Sequence, residues 1–115
     1  MKNISERVTF SLPSPEYYES FSEFDQIIEK IAELGYVGIE TGICNPENID
    51  IILLKQSLKT NKIKLTAVGT GDAQLYNNIS FSDKNFFIRK EAVARIKKDI
   101  LLASIFSAKV LIGRI

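Results

Sequence analysis

The 115-residue sequence contains no histidine, no tryptophan and only one cysteine, Cys44. Histidine is the commonest general base and the commonest metal ligand in proteins, so its absence excludes the usual form of both kinds of site. A zinc site would have to be built from carboxylates, which is unusual. Since a lone cysteine cannot form an internal disulfide bond, a reducing, cytoplasmic location is the simplest expectation. Any catalysis would depend on Asp, Glu, Lys, Arg or Tyr.

The sequence also lacks a clear excess of positive or negative charge, and it contains no long apolar run. Fifteen basic side chains nearly balance fourteen acidic ones, leaving a net charge of +1, so the sequence predicts no nucleic-acid partner. The longest apolar runs, such as residues 51–54, are far shorter than the roughly 20 residues needed to cross a bilayer. Residues 1–6 contain no apolar stretch that resembles a signal peptide. We therefore expect a single globular domain over residues 1–115 with no membrane partner.

Short strand-like runs alternate regularly with segments of helical periodicity. The predicted strands cover about residues 8–12, 36–41, 63–69 and 109–113. Between them lie three amphipathic helices. Their apolar positions are Phe24, Ile27, Ile28, Ile31 and Leu34 in the first, Ile49, Ile52, Leu53 and Leu58 in the second, and Ile88, Ala92, Val93, Ile96, Ile100 and Ala103 in the third.

Residue types that commonly begin and end helices set the expected boundaries. The predicted starts are Ser22 with Asp25 as a capping box, Asn45 followed by Pro46, and Ser82 or Asp83 after a polar loop over residues 72–82. The predicted stops are Gly35 and Asn61, because glycine and asparagine tolerate the left-handed conformation.

The order β-α-β-α-β-α-β implies parallel strands joined by right-handed crossovers, hence an α/β fold. Two architectures fit this order. A doubly wound open sheet would be nearly complete, whereas a (β/α)8 TIM barrel needs about 250 residues and would be represented by its first half. A doubly wound domain usually covers its last strand with a helix, and no helical pattern follows residues 109–113. We therefore expect the N-terminal half of a (β/α)8 TIM barrel.

Three stretches together resemble the xylose isomerase-like TIM-barrel family, which includes sugar phosphate isomerases and epimerases. They are residues 31–40, residues 65–71, and the segment from residue 81 to residue 113 that contains Arg89. Ser107 is a departure, because the family commonly has glycine before its fourth strand. A serine in a left-handed position there would cost on the order of 1 kcal/mol.

The resemblance implies chemistry in which a divalent metal assists proton transfer on a small sugar or sugar phosphate. The family's metal ligands are Glu, Asp and His residues at the ends of later strands, which would lie beyond Ile115. We therefore expect a fragment of a sugar phosphate isomerase/epimerase-like protein that is inactive as this isolated chain. It is expected to have no catalytic residue, no metal site and no cofactor of its own.

The same resemblance implies four substrate-facing residues: Glu40 at the end of the second strand, Thr70 and Gly71 after the third, and Arg89 near the start of the third helix. A carboxylate and a hydroxyl can bond a polyol, and an arginine can hold a phosphate. The alternatives are a solvated carboxylate, an ordinary turn, and an arginine paired with a neighbouring acid. Gln74 replaces the third glycine of a G-x-G-x-x-G pattern, which excludes a dinucleotide fingerprint.

Two other functions remain open. A half barrel would expose strand edges at residues 8–12 and 109–113, and such edges invite pairing with another chain, so a non-enzymatic homodimer is one alternative. The other is a relative of abasic-site endonucleases that use the same fold. The near-neutral charge and the absence of histidine argue against that DNA-directed activity.

Overall fold

A computed structural model describes residues 9–115 of the chain. The strands within them are β1 (Thr9–Leu12), β2 (Gly38–Gly42), β3 (Lys64–Gly69) and β4 (Lys109–Leu111). The helices are α1 (Phe21–Glu33), α2 (Ile51–Asn61), α3 (Asp72–Asn77) and α4 (Phe86–Ile105), with 3-10 turns at Pro15–Tyr17 and Pro46–Asn48. Val8 of the first predicted strand and the N-terminal residues 1–6 lie outside the described residues.

The strands form one sheet in the order β1-β2-β3-β4, and every neighbouring pair is parallel. The predicted α/β fold with parallel strands is thus confirmed. Each crossover moves one strand further in the same direction, so right-handed connections place the connecting helices on one face of the sheet. A doubly wound sheet reverses direction at a switch point, and no such reversal occurs between β1 and β4.

One hydrophobic core lies between the sheet and this layer of helices. Ile39 of β2 and Leu65 and Val68 of β3 are almost completely buried in it. The helices contribute Phe24, Ile28 and Ile31 from α1, Leu54 and Leu58 from α2, and Leu102 and Ala103 from α4. We call this side of the sheet the helix face.

The opposite side of the sheet, which we call the open face, carries small and polar residues. Side chains alternate along a strand, so the neighbours of the core positions point this way. A Cβ atom on Gly38 would lie 2.8 Å from Cγ2 of Thr66 and 3.1 Å from Oγ1 of Thr9. These three residues therefore share the open face, and only glycine fits between the two threonines.

The start of α1 differs from the prediction. Ser20, not Ser22, is the N-cap residue, and its hydroxyl accepts a hydrogen bond from the amide of Glu23 at 3.3 Å. Asp25, the predicted partner of Ser22, instead accepts a hydrogen bond from the Ser57 hydroxyl of α2. The prediction was wrong by two residues because each serine is followed three positions later by an acidic residue.

Two predicted helix stops have different outcomes. Gly35 is confirmed at the end of α1, with a φ of 95°. After α2 the left-handed residue is Lys62, with a φ of 55°, and not the predicted Asn61. Asn61 stays in the last helical turn, where its side-chain amide donates to the carbonyl of Ser57 at 2.8 Å. After α4, Ser107 has a φ of 53°, the left-handed conformation considered for it from its position in the sequence.

Two helices also begin later in the sequence than predicted. Asn45 does act as a cap before Pro46, but the pair begins a 3-10 turn. Helix α2 is capped by Asp50, whose side chain accepts from the amide of Leu53 at 3.0 Å. Helix α4 is capped by Asn85, not by either of the predicted residues at positions 82 and 83.

The buried side of α4 differs most from the expected apolar stripe. The predicted polar loop before it contains the short helix α3. Val93 and Ile100, two predicted core positions, are 44% and 51% exposed. The predicted Ala92 and Ala103 are buried, and Arg95 and Asp99 are buried on the same helix. The apolar positions of α4 surround most of the helix, so their periodicity does not identify which flank meets the sheet.

Candidate functional site

The open face carries two charged side chains in one row across the sheet. Glu40 of β2 pairs in register with Ser11 of β1 on one side and with Ala67 of β3 on the other. Ala67 in turn pairs with Lys109 of β4. Residues in register on neighbouring strands point to the same face, so Glu40 and Lys109 stand on either side of the small Ala67. Sequence reasoning identified Glu40 and missed Lys109.

Glu40 and Lys109 are well separated and belong to neither ion pair of the described residues. The Cα atoms of Glu40 and Lys109 are two strand spacings apart, about 10 Å. The ion pairs found among residues 9–115 involve other side chains, namely Arg95 with Asp99 and Lys98 with Glu47. Glu40 is half-buried and Lys109 is exposed. The Glu40 carboxylate and the Lys109 ammonium group therefore lie on either side of Ala67 and do not form an ion pair with each other.

The direction of Glu40 depends on an irregularity in its own strand. The pairing register between β2 and β3 shifts between Ile39 and Glu40. The Thr66 hydroxyl donates to the Ile39 carbonyl at 2.9 Å beside this shift. Bulges of this kind redirect a side chain and are common next to active sites.

Thr70 joins the ends of β3 and β4. Its hydroxyl donates to the carbonyl of Leu111 at 3.3 Å and accepts from the amide of Gly113 at 2.9 Å. Its own amide donates to the Leu111 carbonyl at 3.0 Å, and the residue is fully buried. Gly71 lies directly against Gly113, where a Cβ atom would come within 2.8 Å of the Gly71 Cα atom. Both predicted site residues therefore hold the strand ends together at the edge of the open face.

Arg89 is not brought together with Glu40. It lies in the first turns of α4, which packs on the helix face, whereas Glu40 points from the open face. Its guanidinium donates to the backbone carbonyls of Asp83 and Lys84 at 2.7 and 3.0 Å and lies 5.8 Å from the centre of the Phe86 ring. The contact with Asp83 is to its backbone, and not to its carboxylate.

Three backbone groups directly after β2 are held by charged side chains from other elements. One oxygen of the Glu16 carboxylate accepts hydrogen bonds from the amides of Cys44 and Asn45 at 2.8 and 3.0 Å. The Arg95 guanidinium of α4 donates to the carbonyl of Ile43. Sequence reasoning missed both residues, because nothing local distinguishes them from solvated charges.

Arg95 is itself fixed inside the protein. It donates to Oδ1 of Asn77 at 2.8 Å and to Oδ1 of Asp99 at 3.3 Å, and it is 8% exposed. Burial raises the pKa of the Asp99 carboxyl group above its ordinary value, and the adjacent Arg95 lowers it in part. A shallow groove of about 280 Å³ runs past Arg95 toward Cys44.

The described residues do not form a divalent-metal site. No group of three or more His, Cys, Asp or Glu side chains comes close enough together within residues 9–115 to hold a metal ion. Glu40 is the only acidic residue in the row across the open face. None of the helices described is long and apolar enough to cross a membrane.

The sequence matches no protein-family model, and no curated protein is significantly similar to it. Function is therefore inferred from the sheet topology, from the open face and from the charged groups that it carries.

Proposed function

We propose that this chain is half of a (β/α)8 barrel of the sugar phosphate isomerase/epimerase type, and that its open face is one wall of a site for a small sugar or sugar phosphate. The observation that carries the proposal is the placement of Glu40 and Lys109 on one face of a sequentially ordered parallel sheet. A sheet of this order with helices on one side is the repeating pattern of the barrel fold.

The composition of the open face supports a barrel interior, with Glu40 at the middle of β2 and Lys109 at the first residue of β4. In a barrel, the face away from the helices points inward. Gly38 and Ala67 leave the centre of this face without large side chains, whereas Glu40 and Lys109 carry long charged ones. A surface of small residues between two charged groups suits a hydroxylated ligand better than an apolar one.

Each charged group has a distinct role in this proposal. Glu40 accepts hydrogen bonds from sugar hydroxyl groups. Lys109 is a compact cation that binds a phosphate or an oxygen that becomes negative. Their separation of about 10 Å spans a ligand of several carbon atoms. Because residues 9–115 do not form a metal site, no metal-assisted step is assigned to this chain, and the isolated chain is proposed to bind without turnover.

The binding proposal is tested by titrating the isotopically labelled 115-residue chain with fructose 6-phosphate, fructose and inorganic phosphate. The expected result is a set of amide shift changes confined to β2, β4 and their following loops. Glu40→Gln should weaken binding of both sugars about tenfold, and Lys109→Gln should weaken only the phosphorylated ligand and phosphate. Glu33→Gln and Lys59→Gln, exposed positions on α1 and α2, are the matched controls.

Two results would contradict the proposal. One is the absence of localised shifts with all three ligands. The other is binding that Glu40→Gln leaves unchanged. A separate assay adds divalent metal ions and follows aldose–ketose conversion, for which no turnover is expected from this chain alone.

A second candidate function is self-association without catalysis. Within the described residues β1 and β4 each have one unpaired edge, and Phe10 of β1 and Ile112 after β4 are 37% and 65% exposed. Two copies could pair β4 with β1 of the other copy. That arrangement ranks second because no described helix would cover the apolar residues at the new seam. Light scattering after size exclusion gives the mass directly: a dimer supports this candidate, and a monomer removes it.

A further inference from the structure

The segment after β2, residues 43–45, forms hydrogen bonds with several other elements of the structure. The amide of Ile43 extends the ladder to β3 by donating to the Gly69 carbonyl at 3.4 Å. One position before this segment, Gly42 ends β2, and the preceding Thr41 hydroxyl donates to the Pro13 carbonyl at 3.0 Å. Polar contacts from the loop after β1 and from β3 therefore meet at this point.

Glu16 holds the second half of this segment from the loop after β1. One carboxylate oxygen accepts three hydrogen bonds, from the Ser14 hydroxyl at 2.9 Å and from the amides of Cys44 and Asn45. The two amides are consecutive, so both are fixed by a single charged group. Hydrogen bonds to an ionised acceptor are about twice as strong as neutral ones.

Arg95 holds the first half of the segment from the opposite side. Its planar group donates in three directions, to the Ile43 carbonyl, to Asn77 at the end of α3, and to Asp99 on its own helix. The guanidinium fork can meet three fixed acceptors at once, whereas a lysine ammonium group on its flexible stem cannot reproduce that planar arrangement. Arg95 is buried, so these bonds are shielded from water.

We infer that Glu16 and Arg95 are positioning residues for Glu40. Glu40 follows the register shift in β2, so its direction depends on how the strand is held on both sides of that shift. Thr66 fixes the strand before Glu40, and the Glu16 and Arg95 contacts fix it after Glu40. The inference rests on the proposed function, since it assigns these residues a role in presenting Glu40 to a ligand.

The variants Arg95→Lys and Glu16→Ala test this assignment in the 115-residue chain. Amide hydrogen exchange at residues 40–45 is measured together with the affinity for fructose 6-phosphate. Both variants should speed exchange at Cys44 and Asn45 at least tenfold relative to α1 amides and weaken sugar phosphate binding by about tenfold. Glu16→Gln keeps an acceptor oxygen and should recover most of the loss.

Two controls separate positioning from general stability. Lys98→Gln breaks the other link between α4 and the region after β2, the exposed ion pair with Glu47, and should change neither exchange nor affinity. Leu58→Ala destabilises the core without touching the segment, and it should lower the melting temperature while leaving the affinity of the folded chain intact.

The results also separate the two proposals. If the wild-type chain does not bind fructose 6-phosphate, the proposed function fails, while exchange at residues 40–45 still tests the positioning. If Arg95→Lys and Glu16→Ala change exchange and affinity no more than Leu58→Ala does, the positioning assignment is overturned and the contacts are structural only.

Discussion

Arg95 and Asp99 lie one turn apart on the buried side of α4 and are joined by a hydrogen bond of 3.3 Å between Nε of Arg95 and Oδ1 of Asp99. The other carboxylate oxygen, Oδ2 of Asp99, is buried without a hydrogen-bond partner in the described part of the chain. A buried charged atom that has lost its water without a replacement costs free energy. For this reason burial, the largest influence, raises the pKa of Asp99, and Arg95 offsets the effect only in part.

This arrangement predicts that ionisation of Asp99 destabilises the fold. The folded chain holds the Asp99 proton more tightly than the unfolded chain does, so the contribution of this group to the free energy of unfolding falls as pH rises. The fall begins near the ordinary value of 3.8 and ends above the raised pKa of the folded state. Asp99→Asn removes this contribution, so the free energy of unfolding should fall less steeply with pH. The difference in slope should be at most about 1.4 kcal/mol per pH unit.

Urea unfolding at a series of pH values checks this prediction. The matched control is Glu47→Gln, because Glu47 is exposed and the hydrogen bond from Lys98 lowers its pKa, the opposite direction. In Glu47→Gln the free energy of unfolding should still fall as pH rises through the range in which Asp99 ionises. Identical slopes for the wild type and Asp99→Asn would contradict the assignment.

Phe24 of α1 should be among the most sensitive positions in the core. It is fully buried, and its ring lies 5.5 Å from that of Tyr18 and 5.6 Å from that of Phe21. Phe24→Ala should lower the free energy of unfolding by about 3–5 kcal/mol. Phe87→Ala removes the same side chain from a position that is 72% exposed and should change it by less than about 0.5 kcal/mol. Similar losses in urea unfolding for the two variants would contradict the described core.

Ser107 should gain stability when it is replaced by glycine. Its φ of 53° lies in the left-handed region, where a Cβ atom is unfavourable and glycine is not. Ser107→Gly should raise the free energy of unfolding by about 0.5–1 kcal/mol. Ser104→Gly, three residues earlier and within α4, should lower it by a similar amount. Thermal unfolding of the two variants should therefore shift in opposite directions, and a loss of stability in Ser107→Gly would refute the expected strain.

The strand pattern and the parallel fold could be predicted from the sequence because buried parallel strands are short apolar runs separated by helical segments. Boundaries were less predictable. The start of α1 was ambiguous, since Ser20 and Ser22 each precede an acidic residue by three positions. The stop at Lys62 was missed because a lysine rarely adopts the left-handed conformation that it has there.

The candidate site was predictable only in part, for a different physical reason. Glu40 could be identified because it lies in a strand-like run, although it was placed at the end of the strand and is the middle residue of β2. The position of Lys109 in the same row depends on the pairing register of three strands, which no local pattern determines. Arg95 was overlooked because a charged residue on a helix is usually solvated, and only tertiary contacts reveal that its group is buried.

The close approach of Gly71 and Gly113 predicts that the second of these positions accepts no side chain. A Cβ atom on Gly113 would lie 2.8 Å from the Cα atom and 3.0 Å from the amide nitrogen of Gly71, so backbone would have to move. Gly113→Ala should therefore cost about 1–3 kcal/mol and speed exchange of the residue 113 amide, which donates to the Thr70 hydroxyl. Gly69→Ala is the matched control, because its nearest contact would be an ordinary 3.8 Å from Gly42. If urea unfolding shows equal losses for the two alanine variants, steric contact between the strand ends is not what makes glycine necessary at position 113.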